Sequence, residues 1–232
     1  MLTQEALDIV RSAAGAGWVL EPDAKRLLSI SGLDIPRSRW AMKADEAVAF
    51  ARENGYPVVA KIVSPDVVHK SEHGGVVVGI RTDEALRSAF ERFRAMEGFA
   101  GMLVEEMVIG LELIVGAKID EQFGPVILLG IGGTGVEIYK DATLRMAPLR
   151  EQDVESMMKG LRAHQLLEGY RGAAPIHVVG LRNLLLTFSG IVMELQEWIE
   201  SVDLNPVKCS SAKCVVADAR IMLRKPDPRR LS

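Results

Sequence analysis

The chain has 232 residues, 48% of them apolar and 25% charged, with a formal net charge of −3. That length supports one large core or two lobes. The slightly acidic balance argues against a nucleic-acid binder, which needs a clustered basic surface. Cys209 and Cys214 complete no zinc site with the few histidines present.

The N-terminal stretch "MLTQEALDIVRSAAGAGWVL" places Leu2, Ala6, Ile9, Val10 and Ala13 on one helical stripe. It lacks a basic region, so it does not read as a signal peptide. Pro22 opens a second helix and Gly32 stops it. "SRWAM" reads as a short strand, and "DEAVAFARENG" as a helix ending at Gly55. "PVVAKIV" (57–63) and "GVVVGI" (75–80) read as strands, and Thr82 as the N-cap of a helix reaching about Met96.

Beyond that point, "GMLVEEMV", "LELIVGAKI" and "GPVILLGI" read as three successive strands, and their short links favour antiparallel pairing. A glycine-rich segment follows, "GIGGTGVEIYKDATLRMAPL". Helices are expected at about 151–160 and 177–199, then strands in "SVDLNPV" and "KCVVADARIML", the first ended by Pro206. No apolar run reaches the roughly 18 residues a membrane span needs. The basic end "RKPDPRRLS" reads as a solvated tail. The two cysteines read as reduced, structural thiols, in keeping with a cytoplasmic chain. The elements divide into a small lobe at 22–103 and a large lobe formed by 1–21 and 104–232.

Several residues carry possible chemistry. Lys61 interrupts an apolar strand; taken alone, it more often faces solvent than a phosphate. Glu105 and Glu112 lie in strand segments, and Glu112 can accept from ribose hydroxyls or simply sit on a half-exposed face. "GIGGTG" can offer backbone N–H groups to an anion, yet it is neither a Walker loop nor a dinucleotide fingerprint. Glu137, Lys140, Asp141 and Arg145 crowd the next segment, where Arg145 suits a phosphate clamp or a surface ion pair. Asp203 and Asn205 are two apart and share a strand face, as do Val216, Asp218 and Arg220 on the returning strand. Asn205 across from Asp218 would offer hard oxygen ligands to Mg²⁺; a turn Asn and a surface Asp are the level alternative. His69 follows the Lys61 strand in a glycine-flanked polar loop, with Asp203 as a possible orienting carboxylate and His73 as its competitor.

Taken in order, "VVAKIVSPDVVHKSEHGGV", "VEEMVIGLELIVG", "GIGGTGVEIYKDATLRMAPL" and "DLNPV" resemble the ATP-grasp subunit of ADP-forming acyl-CoA synthetases, most of all the small beta subunit of the archaeal acetyl-CoA enzymes. This family is related to succinyl-CoA synthetase. The resemblance spans about residues 10–224. It implies an α+β ATP-grasp fold, two lobes each with a sheet and packed helices, and a nucleotide held in the cleft between them.

The resemblance also implies roles. Lys61 matches the ATP-phosphate lysine, and His69 the histidine that becomes phosphorylated. Glu105 and the backbone near Met107 match the adenine-reading hinge, and Glu112 the ribose acid. Asn205 and Asp218 match the Mg²⁺ ligands, and Asp203 the acid that stabilises phosphohistidine. Asp141 and Arg145 fall in a family-typical "D-x-x-x-R-x-x-P-L" segment. ATP or ADP and Mg²⁺ are thus the expected ligands. A separate CoA-binding alpha subunit is the expected partner, in an alpha2beta2 heterotetramer. The rival readings are a direct ATP-grasp acid ligase and the grasp module of a regulated protein acetyltransferase.

Overall fold

The computed structural model describes residues 2–67, 70–133 and 141–224. It divides into two compact units. The larger takes Met1–Ile35 and Ile109–Ser232, and the smaller takes Pro36–Val108.

The smaller unit is a four-stranded antiparallel sheet with two helices. Its strands run in the order β2 (Ser38–Ala41), β5 (Gly101–Glu106), β3 (Val58–Val63), β4 (Val76–Ile80). Helix α3 (Ala44–Asn54) ends at Gly55, whose φ of 92° a side chain would resist. Helix α4 (Asp83–Arg94) begins at Thr82, whose hydroxyl accepts from the Ala85 amide at 3.2 Å. Ala47, Phe50, Leu86, Phe90 and Phe93 from these helices meet Val58, Ala60, Ile62, Met102 and Val104 in one core. Alternation along β3 and β5 therefore turns Lys61 and Glu105 to the face opposite the helices.

The larger unit is built on a seven-stranded antiparallel sheet in the order β1 (Trp18–Val19), β11 (Arg220–Leu223), β9 (Ile199–Cys209), β6 (Leu111–Asp120), β7 (Gly124–Ile131), β8 (Ala142–Met146). A further strand, β10 (Cys214–Val216), pairs with β9. Helices α1 (Gln4–Ala13), α2 (Glu21–Ile30), α5 (Glu151–Gly160), α6 (Gln165–Glu168) and α7 (Val178–Leu195) supply the rest of its core. Leu27, Leu28, Leu185, Phe188 and Val192 pack there with Leu113, Val115, Val202, Leu204 and Val207 from the sheet.

Five expectations need correcting. Helix 21–30 belongs to the larger unit, because Ala24, Leu27 and Leu28 are buried in that core. Strand β5 belongs to the smaller sheet and does not pair with β6; the link after it carries the chain from one unit to the other. Strand β9 continues through Pro206. The β6–β9 register shifts between Leu113 and Val115, so Asn205 and Pro206 fall in a bulge where a missing N–H leaves no gap in the ladder. Cys209 and Cys214 are not free thiols but a disulfide, since they face each other across the β9–β10 pair with Cα atoms 4.1 Å apart. Finally, α7 is long and apolar enough to cross a membrane by length and composition, but Leu181, Leu184, Leu185, Phe188, Ile191, Val192 and Leu195 bury its stripe in the core.

Candidate functional site

In the smaller unit, the sequence reading of Lys61 as a solvent-facing lysine does not hold. Lys61 is 5% exposed and Glu105 2%. Their side chains meet at 3.2 Å across the β3–β5 pair. A buried ammonium needs such a carboxylate to stay charged. Glu105 thus acts through its side chain as the partner of Lys61. Met107 lies just past β5, in the link that leads out of the unit.

Strand β3 runs from Lys61 toward the loop that returns as β4. His69 lies outside the described residues, but both flanks of its loop are defined. Lys70 is buried at 8% exposure, and its carbonyl accepts from the Gly75 amide at 2.7 Å. The Gly75 carbonyl in turn accepts from the Ile62 amide at 2.8 Å. A Cβ on Gly75 would sit 2.6 Å from the Ile62 side chain. This glycine permits a close approach that clamps the loop's exit onto the Lys61 strand. His73, the rival histidine, is in the exposed turn just before it.

In the larger unit, the candidate residues gather on the sheet face that the core does not use. Leu113, Val115, Val202, Leu204 and Val207 point into the core. Glu112 and Lys208 are direct register partners on the opposite face and form an ion pair. Asp203 faces Gly116 on one side and Arg220 on the other; its carboxylate accepts from the Arg220 guanidinium at 3.2 Å. Asp203 and Lys208 are an odd number apart, yet share this face because the Asn205–Pro206 bulge adds one residue between them.

The same bulge presents Asn205. The register is identical on both sides of the gap between β10 and β11, with Val216 opposite Val207 and Arg220 opposite Asp203. That continuity sets Asp218 opposite Asn205, and the Ala217 amide donates to the Pro206 carbonyl at 3.0 Å between them. Asn205 is exposed and Asp218 half-buried. A carboxylate and an amide at facing register positions suit Mg²⁺, which keeps waters and takes phosphate oxygens rather than a full protein cage. Among the described residues, no group of three or more His, Cys, Asp or Glu side chains forms a closed metal site.

The remaining candidates are tied into the larger unit by hydrogen bonds. Asp141 accepts from the amides of Arg162 and Ala163, both at 2.8 Å. Arg145, on the edge strand β8, donates to Ser156 of α5 at 2.6 Å and to the Leu144 carbonyl at 2.7 Å. Gly132 donates to the Glu112 carbonyl at 2.6 Å, and a Cβ there would lie 2.8 Å from Glu112 backbone. The start of the glycine-rich segment is therefore moulded to the strand carrying Glu112. Its later part, with Glu137 and Lys140, lies outside the described residues, as does the basic C-terminal tail. Sequence reasoning missed Lys208. Simple alternation puts it on the face opposite Asp203, and only the Asn205–Pro206 bulge brings it back.

Comparison with known proteins supplies the family. Residues 11–223 match the ATP-grasp domain family. The beta subunit of acetate–CoA ligase [ADP-forming] I from Pyrococcus furiosus is 37% identical over 94% of this chain and 98% of its own length. The 4-hydroxybutyrate–CoA ligase [ADP-forming] of Nitrosopumilus maritimus is also 37% identical, but there the match occupies 31% of a longer polypeptide. Among solved structures, the Candidatus Korarchaeum cryptofilum acetyl-coenzyme A synthetase 1 superposes with a TM-score of 0.83 at 41% identity, over 94% of this chain and 100% of that one. That structure holds coenzyme A and Mg-AMPPCP, with its phosphohistidine segment pointing towards the nucleotide-binding site. This chain belongs to the ATP-grasp family and, within it, to the beta subunits of ADP-forming acetate–CoA ligases.

Proposed function

We propose that this chain is the nucleotide-handling subunit of an ADP-forming acyl-CoA synthetase, which converts acyl-CoA, ADP and phosphate to the free acid, CoA and ATP. The observation that carries this reading is the end-to-end match to a separate beta subunit, with 94% of one chain aligned to 98% of the other. The relative is named as one subunit of its enzyme, and we assign the CoA and acid chemistry to a CoA-binding alpha subunit in an alpha2beta2 assembly. Acetate is the acid named for the Pyrococcus relative.

Phosphate then travels as a phosphoryl group on histidine. In the ATP-forming direction, the neutral His69 imidazole attacks the phosphorus of a phosphohistidine on the alpha subunit; that P–N bond breaks, the alpha-subunit imidazole leaves, and a new P–N bond forms on His69. An oxygen of the ADP β-phosphate attacks that phosphorus, the P–N bond breaks, and the imidazole is left neutral. Lys61 lies on the strand that feeds the His69 loop, and its ammonium faces the transferred phosphate charge. Glu105 holds that ammonium in place through the 3.2 Å ion pair. Glu112 receives the ribose hydroxyls, and the backbone near Met107 reads the adenine. Asp203 orients the phosphohistidine. Asn205 and Asp218 hold Mg²⁺, which offsets negative charge on the phosphate oxygens. Arg145 is tied to Ser156 and is the weakest member of the set.

The test is direct labelling. The chain is incubated with Mg²⁺ and γ-labelled ATP, with and without its alpha subunit, beside His69→Ala. Acid-labile, base-stable label on the wild type and none on the variant is the expected result. Label that persists in His69→Ala moves the role to His73 or to the partner. Absence of label under every condition, with nucleotide still bound, would reject a phosphohistidine relay.

A further inference from the structure

Helix α2 carries an ion pair that the scheme above does not use. Glu21 and Lys25, one turn apart, meet at 2.9 Å with side chains 1% and 2% exposed. Lys25 is among the largest fully buried side chains of the chain. A pair taken this far out of water gains little net stability over apolar residues of the same volume. Stability alone therefore does not account for it.

What sets the pair apart is its third member. The Lys25 ammonium also donates to the backbone carbonyl of Ala217 at 2.7 Å. Ala217, Asp218 and Ala219 lie between β10 and β11, outside either strand. Within this stretch, the Ala217 amide reaches Pro206 and the Ala217 carbonyl is gripped by Lys25. On the far side, Arg220 is fixed to Asp203. Ala24, Leu27 and Leu28 are fully buried around Lys25, so the grip comes from a rigid helix.

We propose that the buried Glu21–Lys25 pair is a positioning device for the metal-binding segment: Lys25 fixes the Ala217 carbonyl and so holds the Asp218 carboxylate opposite Asn205. Glu21, 2.9 Å from the Lys25 ammonium, holds it aimed at that carbonyl. This rests on the reading of Asp218 as a Mg²⁺ ligand. Groups that orient metal ligands typically change metal affinity about ten- to hundredfold when removed.

The experiment measures ADP affinity by calorimetry across a Mg²⁺ series, on the intact chain. The variants are Asp218→Asn, Lys25→Met, and the double Glu21→Gln/Lys25→Met, which leaves no unpaired buried charge. The double variant is expected to fold, to bind ADP without Mg²⁺ as the wild type does, and to need about tenfold more Mg²⁺ for half its effect. A merely structural role would lower the binding-competent fraction and the melting temperature but leave that midpoint in place. If Asp218→Asn shifts the midpoint and the double variant does not, the positioning role is wrong and the metal reading stands. If Asp218→Asn leaves the midpoint unmoved, the metal reading fails, and the positioning role with it.

Discussion

Lys61 and Glu105 illustrate how a charged pair can stay inside a small unit. Each is nearly inaccessible, and each answers the other at 3.2 Å. Removing one member strips the other of its buried counter-ion, which costs about 3–5 kcal/mol. Glu105→Gln is therefore expected to lower stability by about 3 kcal/mol in urea denaturation. The double variant Lys61→Met/Glu105→Leu should regain most of that loss yet fail to bind ATP. Recovery of both stability and ATP binding would mean the lysine serves the fold only. The pair was half-legible in the sequence. Lys61 was conspicuous because it broke an apolar strand, but period-two alternation says only that it leaves the helix-covered face. It cannot say that the other face is also shielded from water. Glu112 was likewise visible, while its partner Lys208 was not, because a bulge changed which residues share its side.

At the scale of elements, the order of helices and strands was largely readable from caps and periodicity. Thr82, Gly55 and Gly32 marked boundaries through local backbone demands that tertiary contacts did not override. Pairing was less readable. The link after Glu106 is short enough for a hairpin, yet β5 pairs with β2 and β3, since link length does not reveal that the chain is changing units. Strand β1 escaped notice because two residues, Trp18 and Val19, carry no periodicity. The β9–β10 hairpin is where an element-level prediction belongs. Its ends are crosslinked through Cys209 and Cys214, five residues apart. A loop that short contributes roughly 2 kcal/mol through the unfolded state. Cys209→Ser/Cys214→Ser should thus fold with about that loss in stability, measured under matched oxidising conditions. An unchanged urea midpoint would show that the hairpin is already held by its ladder.

Over the whole molecule, the chain leaves the larger unit once and returns once. The N-terminal helices and β1 join the C-terminal strands, Trp18 lying opposite Met222, so the larger unit closes only after nearly all of the chain is present. The smaller unit is uninterrupted in sequence. The lobes were foreseen at 22–103 and the remainder; the observed division at 36 and 108 differs because burial of α2, not its position in the chain, decides its allegiance.

The way β2 and β5 frame that smaller unit has a further consequence. Ser38 is the register partner of Glu105, so the chain enters and exits through neighbouring antiparallel strands, whose Cα atoms lie about 5 Å apart. The segment is in effect a cassette with its two ends side by side. Pro36–Val108, produced alone, should give a cooperative thermal transition and dispersed amide resonances, its ends needing no foreign closure. The host, with Ile35 joined to Ile109 through a few glycines, should keep its seven-stranded sheet. A cassette that stays unfolded would show that its core of Phe, Val and Ala residues cannot stand without its host. One that folds would make the lobe an exchangeable part, open to grafting between members of the family.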